Sequence, residues 1–519
     1  MTLAYAPFFI PIVLFAAGLI CFLTPGRRPT VGLMLAQAAA VAAFLGAIGL
    51  AVQVALGGPG TVRLPGDVGL GVAIRLDVVS VAISLCVSFV GWMVVRYAAT
   101  YLDGEARQGA FTAWLLLTLG AVMTLVLAGG LLQLVVAWIA TSLLLHKLLL
   151  FYANRPNARR AARKKFMAAR LSDAALIGAV LLLFEAYGTM DIAAILEAAR
   201  NKTGGAAAMW GAALLAAAAV LKSAQIPAHG WLIEVMETPT PVSALLHAGV
   251  INAGGFLLIR LADVVMLSPA VLAALVIIGG LTALFASVVM LTQAAVKTSL
   301  AWSTVAQMGF MILECGLGLF PLALLHILAH SLYKAHSFLA SGGAVERIAA
   351  ALRLGGVAIP SSAAVLRAFI AALTIYAAVG AAFGFQYKSP QAIALGAILI
   401  FGVAYLFAQG LADRAPRQLT VRTALYALAS SISYFVLQWG AEHLTAAALP
   451  APHPPGSLEW LLIALTVTSF ALTAVLQGLL PLWANHPAVA GLRVHISNGF
   501  YFNAVFDRMT GGWNVRERG

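Results

Sequence analysis

An all-α polytopic membrane protein of about 14–15 transmembrane helices is the fold class this sequence predicts. Hydrophobic residues fill 62% of its 519 positions and charged residues only 9%. The mean hydropathy is +0.97, far from the balance of a soluble globular domain. The apolar residues also gather into runs long enough to cross a hydrocarbon layer of about 30 Å.

In chain order these runs fall near 7–24, 31–56, 79–100, 110–128, 130–152, 171–187, 207–228, 240–262, 268–290, 299–319, 322–343, 363–384, 390–408, 421–440 and 457–479. The first has no basic stretch before it and no convincing small-residue cleavage site, so it reads as an uncleaved span. The runs that follow should alternate across the membrane, and the loop arginines and lysines test this. With the loop of Arg27 and Arg28 in the cytoplasm, 155–170, 344–362, 409–422 and the C-terminal tail lie there too. On that scheme 22 of the 31 Lys and Arg are cytoplasmic, 6 are external and 3 (Lys147, Lys222, Lys334) are intramembrane. The expected orientation in a bacterial inner membrane is therefore N-terminus outside, C-terminus cytoplasmic. The net charge of +13 belongs to these loops and lacks the aromatic interleaving of nucleic-acid binders. It points to membrane lipids and topology, not to nucleic acid. Cys21, Cys86 and Cys315 lie singly in apolar runs, with neither metal spacing nor a disulfide pattern.

The most basic loop, 154–170, holds seven Lys/Arg in seventeen residues and has a helix-forming composition. It reads either as a topology anchor or as a docking face for a soluble partner or anionic lipid.

Two stretches carry ionisable groups inside apolar runs. Residues 207–262 hold Lys222, Glu234, Glu237 and His247, with the run broken at Pro227 and restarted after Thr238-Pro239-Thr240-Pro241. A charge near mid-bilayer costs roughly 2.5–3.5 kcal/mol on insertion scales, so one kept there points to function. Prolines free backbone groups that lipid cannot satisfy, which implies packing inside protein or beside a wet cavity. In the second stretch, 293–347, His326, His330 and Lys334 recur every fourth residue and so stack on one helical face, with His336 nearby. Two imidazoles one turn apart, with no carboxylate or thiolate and beside a lysine, are a poor metal set. A row of imidazoles and buried lysines suits proton transfer better.

These residues carry a family resemblance. Lys222-Ser223-Ala224-Gln225 with Pro227, Trp231-Leu232, Met236-Glu237, the run from Pro239 to Ala248, Leu300 to Thr304, Gln307-Met308-Gly309, and His326 with His330 and Lys334 resemble the antiporter-like membrane subunits. Respiratory complex I, above all in its L-type subunit, and the multi-subunit sodium/proton antiporters share that family. The resemblance implies two inverted five-helix repeats containing broken helices, and a polar row at mid-membrane. The expected units are N-terminal helices 1–105, repeats 106–262 and 263–408, and C-terminal helices with a tail at 409–519. It further implies an ion path through Lys222, His247, His326, His330 and Lys334, with Glu237 tuning Lys222.

The sequence departs from that pattern. Trp138 matches the family's fifth-helix tryptophan, but Ile139 stands where the family has the glutamate that partners the broken-helix lysine. His146 and Lys147 read either as a substitute or as a snorkelling interface pair. The expected second broken helix, about 363–384, has no internal lysine or glutamate, unless Lys388 near its end serves, and 519 residues leave no room for the long lateral helix of the L-type subunit. The runs 145–173, 247–261 and 494–509 are similar instead to the membrane subunit of the DAB-type inorganic carbon transporters. That narrower resemblance implies a large zinc-binding partner similar to β-carbonic anhydrases and a pump for bicarbonate. Zinc is expected in the partner, with no cofactor or metal in this chain, which is not itself an enzyme. A complex I L-type subunit, a sodium/proton antiporter subunit and a non-conducting scaffold remain the alternatives, and either proton or sodium could be the cation.

Overall fold

The computed structural model describes residues 5–64, 71–343, 361–411, 416–483 and 486–509. Its helices are α1 Phe9–Cys21, α2 Thr30–Gly57, α3 Val78–Tyr101, α4 Gln108–Val126, α5 Leu131–Leu149, α6 Pro156–Tyr187, α7 Ile192–Arg200, α8 Gly205–Lys222, α9 Gly230–Glu234, α10 Thr240–Ala248, α11 Ala253–Arg260, α12 Ala262–Val265, α13 Pro269–Met290, α14 Val296–Gly316, α15 Phe320–Leu339, α16 Ser362–Ala382, α17 Pro390–Gly410, α18 Arg417–Thr445 and α19 Ser457–Gly478. Short helices α20 Ala490–Ser497 and α21 Phe502–Met509 follow. Each of the fifteen apolar runs is helical. Among the described residues, twelve helices are long and apolar enough to cross a membrane. The other three runs are α1, which is shorter, and α14 and α15, which carry the polar side chains.

Local chemistry sets the ends of these helices. Asp77 caps α3 by accepting from the Ser80 N–H, and the Ser80 hydroxyl accepts from the Asp77 N–H in return. Ser361 and Ser389 cap α16 and α17 from one side only, accepting from the Ala364 and Ala392 N–H groups. Gly188, at φ 66°, ends α6 in the left-handed conformation. Between helices, backbone contact replaces side-chain volume. A Cβ on Gly309 would stand 2.5 Å from the Ala283 nitrogen, and one on Gly279 2.5 Å from the Leu313 nitrogen. Helices α13 and α14 therefore pack backbone to backbone, as apolar solvent favours.

The connections sort onto two opposite faces. On one, a hairpin of β1 Gly60–Arg63 and β2 Ala73–Leu76, paired Gly60 to Leu76, meets the α4–α5 turn. There Arg75 N donates to Leu127 O at 3.0 Å and Leu131 N to Met190 O at 2.8 Å. Arg63 pairs with Asp191 and Arg200 with Asp263 on the same face. On the other face Arg28 pairs with Asp103, Arg155 with Glu237, and Gln293 donates to Ser497 O. The alternation expected from the loops thus closes in three dimensions. The loop at 344–360 and the tail at 510–519 lie outside the described residues.

Two local expectations change. The 154–170 segment is not a loop before a span but the first turns of α6 itself, a 32-residue helix. The run at 363–384 is one unbroken helix, α16. Interruptions occur instead between α8 and α10 and again at Gly249–Asn252, between α10 and α11.

Candidate functional site

Lys222 is the last residue of α8, whose alanine-rich sequence is a strong helix former up to that point. The helix stops there because Ala224 turns to φ +50° and Pro227 has no N–H to continue it. The freed backbone groups find partners in neighbouring elements. Gln225 Nε2 donates to Ser223 O at 2.8 Å, and Ile226 N donates to Thr282 Oγ1 at 3.2 Å. Gly254 on α11 makes room for the break, since a Cβ there would lie 2.3 Å from Ser223 Oγ and 2.5 Å from Ala219 O.

The Lys222 ammonium is buried and makes no hydrogen bond among the described residues, lying 4.3 Å from the centroid of the Trp138 ring. A ring face attracts a desolvated cation but gives it no lone pair. The compensating carboxylate is Asp173 on α6, which interacts electrostatically with Lys222, Lys165 and Arg170. Arg170 Nη2 is 2.6 Å from Asp173 Oδ2. Lys165, also buried, donates to Ser142 O at 2.7 Å and Ser142 Oγ at 2.9 Å. A cavity of about 10 Å³, lined by Lys165, Lys222, Trp231, Leu246 and neighbours, separates these groups.

Leu246 leads directly to His247 on α10, which is fully buried. Its Nδ1 is 3.0 Å from Thr304 Oγ1, and its ring stacks on Phe338 with centroids 4.4 Å apart. Lys334 on α15 is fully buried too and donates to Ser303 Oγ at 2.6 Å. One turn along, His330 has no hydrogen-bond partner on either ring nitrogen. His326, another turn on, stands 6.1 Å from His330 ring to ring, and its Nδ1 is 2.9 Å from Glu314 Oε2. The groups thus form two sets: Lys222 with Asp173, Lys165 and Arg170 around the break, and His247, Lys334, His330 and His326 with Glu314 at the far end. A neutral imidazole both donates and accepts, so such a row can pass protons where water bridges the gaps.

The sequence-predicted residues divide accordingly. Lys222, His247, His326, His330 and Lys334 are brought together. Glu237 is not among them: it sits at the surface, paired with Arg155 at 3.3 Å. Glu234 is held by Lys164 at 2.5 Å. Lys147 is exposed with its ammonium 5.9 Å from the Trp114 ring, so it belongs to the interface; His146 is half-buried beside Phe166. Lys388 pairs with Glu442 at 2.8 Å and takes no part in the row. Three residues were missed: Asp173, Lys165 and Glu314. The first and last had a signal: Glu314 is the lone carboxylate of the run 299–319, and Asp173 opens the run 171–187 three residues after Arg170, at helical spacing. Lys165 was hidden in a basic cluster whose periodicity sends Lys164 and Lys165 inward and leaves Arg155, Arg159, Arg160 and Arg163 exposed.

A bundle of spanning helices with interrupted segments around a buried row of lysines and histidines defines an antiporter-like membrane subunit. The description "NADH:quinone oxidoreductase/Mrp antiporter, TM" matches residues 128–382, and "NADH-Ubiquinone oxidoreductase (complex I), chain 5 N-terminus" matches 64–112. The chain belongs to this family of proton-antiporter membrane subunits. It is 36% identical to the probable inorganic carbon transporter subunit DabB2 of Halothiobacillus neapolitanus, over 87% of this chain and 82% of that one. It is 49% identical to the probable inorganic carbon transporter subunit DabB of Hydrogenovibrio crunogenus over 50% of this chain, a match that spans 51% of that relative. NADH-quinone oxidoreductase subunit L of Escherichia coli is 35% identical over 54% of this chain and 46% of its own length. Among solved structures, the Mrp complex from Dietzia sp. DQ12-45-1b has the same fold, with a TM-score of 0.62 at 21% identity over 98% of this chain and 60% of that one.

Proposed function

We propose that this chain is the proton-conducting membrane subunit of a two-component inorganic carbon uptake pump. The observation that carries the reading is the pair of buried ionisable sets, Lys222 with Asp173 and His247, Lys334, His330 and His326 with Glu314. A chain spends several kcal/mol to bury such groups, and a row of them has little use in a scaffold. The relatives named as inorganic carbon transporter subunits support the substrate class. Cation flow through the row would energise CO2 hydration in a partner, a large zinc protein similar to carbonic anhydrases. In this reading the hydration chemistry belongs to that partner. The basic face of α6, through Arg159 rather than Lys164 and Lys165, or the C-terminal tail is the docking surface in this reading. A second reading, the proton-pumping L-type subunit of complex I or a sodium/proton antiporter subunit, shares the same row.

The test is purification from the native membrane in mild detergent, with mass identification and a zinc assay, followed by uptake of labelled bicarbonate. One stoichiometric zinc protein, and uptake abolished by uncoupler and by Lys222→Ala or Lys334→Ala in an assembled complex, is the expected result. Co-purification of iron–sulfur subunits instead would sink the carbon-pump reading.

A further inference from the structure

Helix α14 ends in Met311-Ile312-Leu313-Glu314-Cys315-Gly316, an apolar segment in which Glu314 is only 4% exposed. One of its carboxylate oxygens is engaged by His326, 2.9 Å away, and the other has no hydrogen-bond partner among the described residues. The ring's far nitrogen, His326 Nε2, is buried without a partner as well. Both groups face a cavity of about 430 Å³ walled by α14, α15, α16, α17 and α18. At roughly 30 Å³ per water this is space on the order of ten waters. Most of the wall is apolar, but Gln307, Tyr376, Ser433 and Tyr434 also line it. The two tyrosines donate to the Ile393 and Ala392 carbonyls, at 3.0 and 2.8 Å, which leaves their oxygen lone pairs for a guest.

The cavity lies beside the Glu314–His326 pair, within the helical layer. Glu314 is two residues from the end of α14, on the face of the bundle where Gly318 abuts Pro452. That is the face opposite the basic one. Helix α16, which forms another wall, offers no carboxylate, lysine or histidine, and Lys388 beyond it is tied to Glu442. The ionisable group at this end therefore comes from α14.

Building on the reading that the buried groups carry protons, we propose that Glu314, held by His326, is the terminal proton-exchange carboxylate, and that the cavity is the aqueous vestibule at which it exchanges. In the step itself, the protonated imidazole gives its Nδ1 proton to the Glu314 carboxylate, leaving neutral imidazole and neutral acid. The acid then passes the proton to water in the vestibule and regains its charge. No other reactant is needed.

The experiment reconstitutes the complex, as isolated from its membrane, into vesicles with an entrapped pH dye, and compares proton flux in Glu314→Gln, Glu314→Asp, Lys334→Ala and the double variant Gln307→Glu/Glu314→Gln. Gln307 lies two helical turns from Glu314 on the same cavity wall, so a carboxylate there meets the same water. Flux at least tenfold lower in Glu314→Gln, with partial recovery in Glu314→Asp and in the double variant, is expected. Normal flux in Glu314→Gln with none in Lys334→Ala overturns the outlet while leaving the path intact. Normal flux in both removes the path reading and this one with it. A loss that neither carboxylate variant relieves makes Glu314 a packing residue and refutes the vestibule.

Discussion

Lys164 is the centre of the lock that holds the C-terminal segment to the basic face, and removing its charge gives the sharpest test of the packing. Its ammonium is 2.5 Å from Glu234 Oε1 on α9 and 2.6 Å from Asp507 Oδ2 on α21, with the lysine side chain 5% exposed. Asn503 Nδ2 donates to the same Glu234 oxygen at 2.7 Å, and Arg160 Nη2 is 2.8 Å from Asp507. Deleting one partner of a buried ion pair costs about 3–5 kcal/mol, because the other charge stays buried without compensation. Arg160 remains and Glu234 is 21% exposed, so the loss in Lys164→Met falls to about 2–3 kcal/mol. That is a roughly 30- to 150-fold rise in the open population of the segment. Hydrogen exchange of amides 490–509 in the detergent-purified protein reads it directly, since opening governs exchange. The triple variant Lys164→Met/Glu234→Gln/Asp507→Asn, which removes all three charges, is expected to recover most of the protection. Unchanged exchange in Lys164→Met, or a triple variant as open as the single one, would refute the lock.

Two further outcomes follow from the same geometry. Asp173→Asn leaves Lys222, Lys165 and Arg170 facing one another without a carboxylate, so proton flux in the reconstituted complex should fall at least tenfold with the chain still inserted; flux at the normal rate would show that Lys222 needs no partner. Asp191, outside the spans, is pushed up by burial but more than offset by Arg63 and by the N–H groups at the start of α7, so its pKa in the folded state is lowered. Its contribution is therefore present above the unfolded carboxylate range near pH 4 and is lost as pH falls through the folded value. Arg63 is 58% exposed, so the effect is a few tenths of a kcal/mol. Proteolysis of the 60–76 hairpin should rise on acidification in the native chain, while Asp191→Asn should be equally labile at both pH values.

The class of the fold and the central row were legible because both rest on patterns that burial cannot disguise. Apolar runs of bilayer length force helices, and Lys334 with two histidines at four-residue spacing can face only one way. Glu237 failed as a partner for Lys222 because nearness in sequence to a break says nothing of direction: the turn after α9 carries it outward to Arg155. The missing glutamate at Ile139 drew attention to α5, where His146 and Lys147 lie, whereas the compensating charge comes from α6. No periodicity within one helix reports which neighbouring helix faces it. The basic cluster misled for the opposite reason. Seven charges in seventeen residues look solvated, yet α6 is long enough that Lys164 and Lys165 turn inward to Glu234, Asp507 and Ser142.

The donor chemistry of the row also bears on which cation moves. Sodium is a hard ion that binds through several oxygens, while carboxylate, carbonyl and water ligands define such sites. Between the two end carboxylates the buried ionisable groups are nitrogens, from Lys222, His247, Lys334, His330 and His326, and the oxygens bonded to them are the Ser303 and Thr304 hydroxyls and the Leu300 carbonyl, each already engaged. Ser303 Oγ is occupied by the Lys334 ammonium and Thr304 Oγ1 by His247. An ammonium group in such a site repels a metal cation, at roughly 4 kcal/mol for two unit charges 4 Å apart at an effective dielectric of 20. A proton avoids this repulsion because it is carried as the charge of the lysine or imidazole itself. Flux in reconstituted vesicles should therefore persist unchanged when sodium is replaced by choline, and should generate no movement of labelled sodium. Sodium-dependent flux that Lys334→Ala abolishes would overturn the proton assignment and require oxygen ligands that this row does not present.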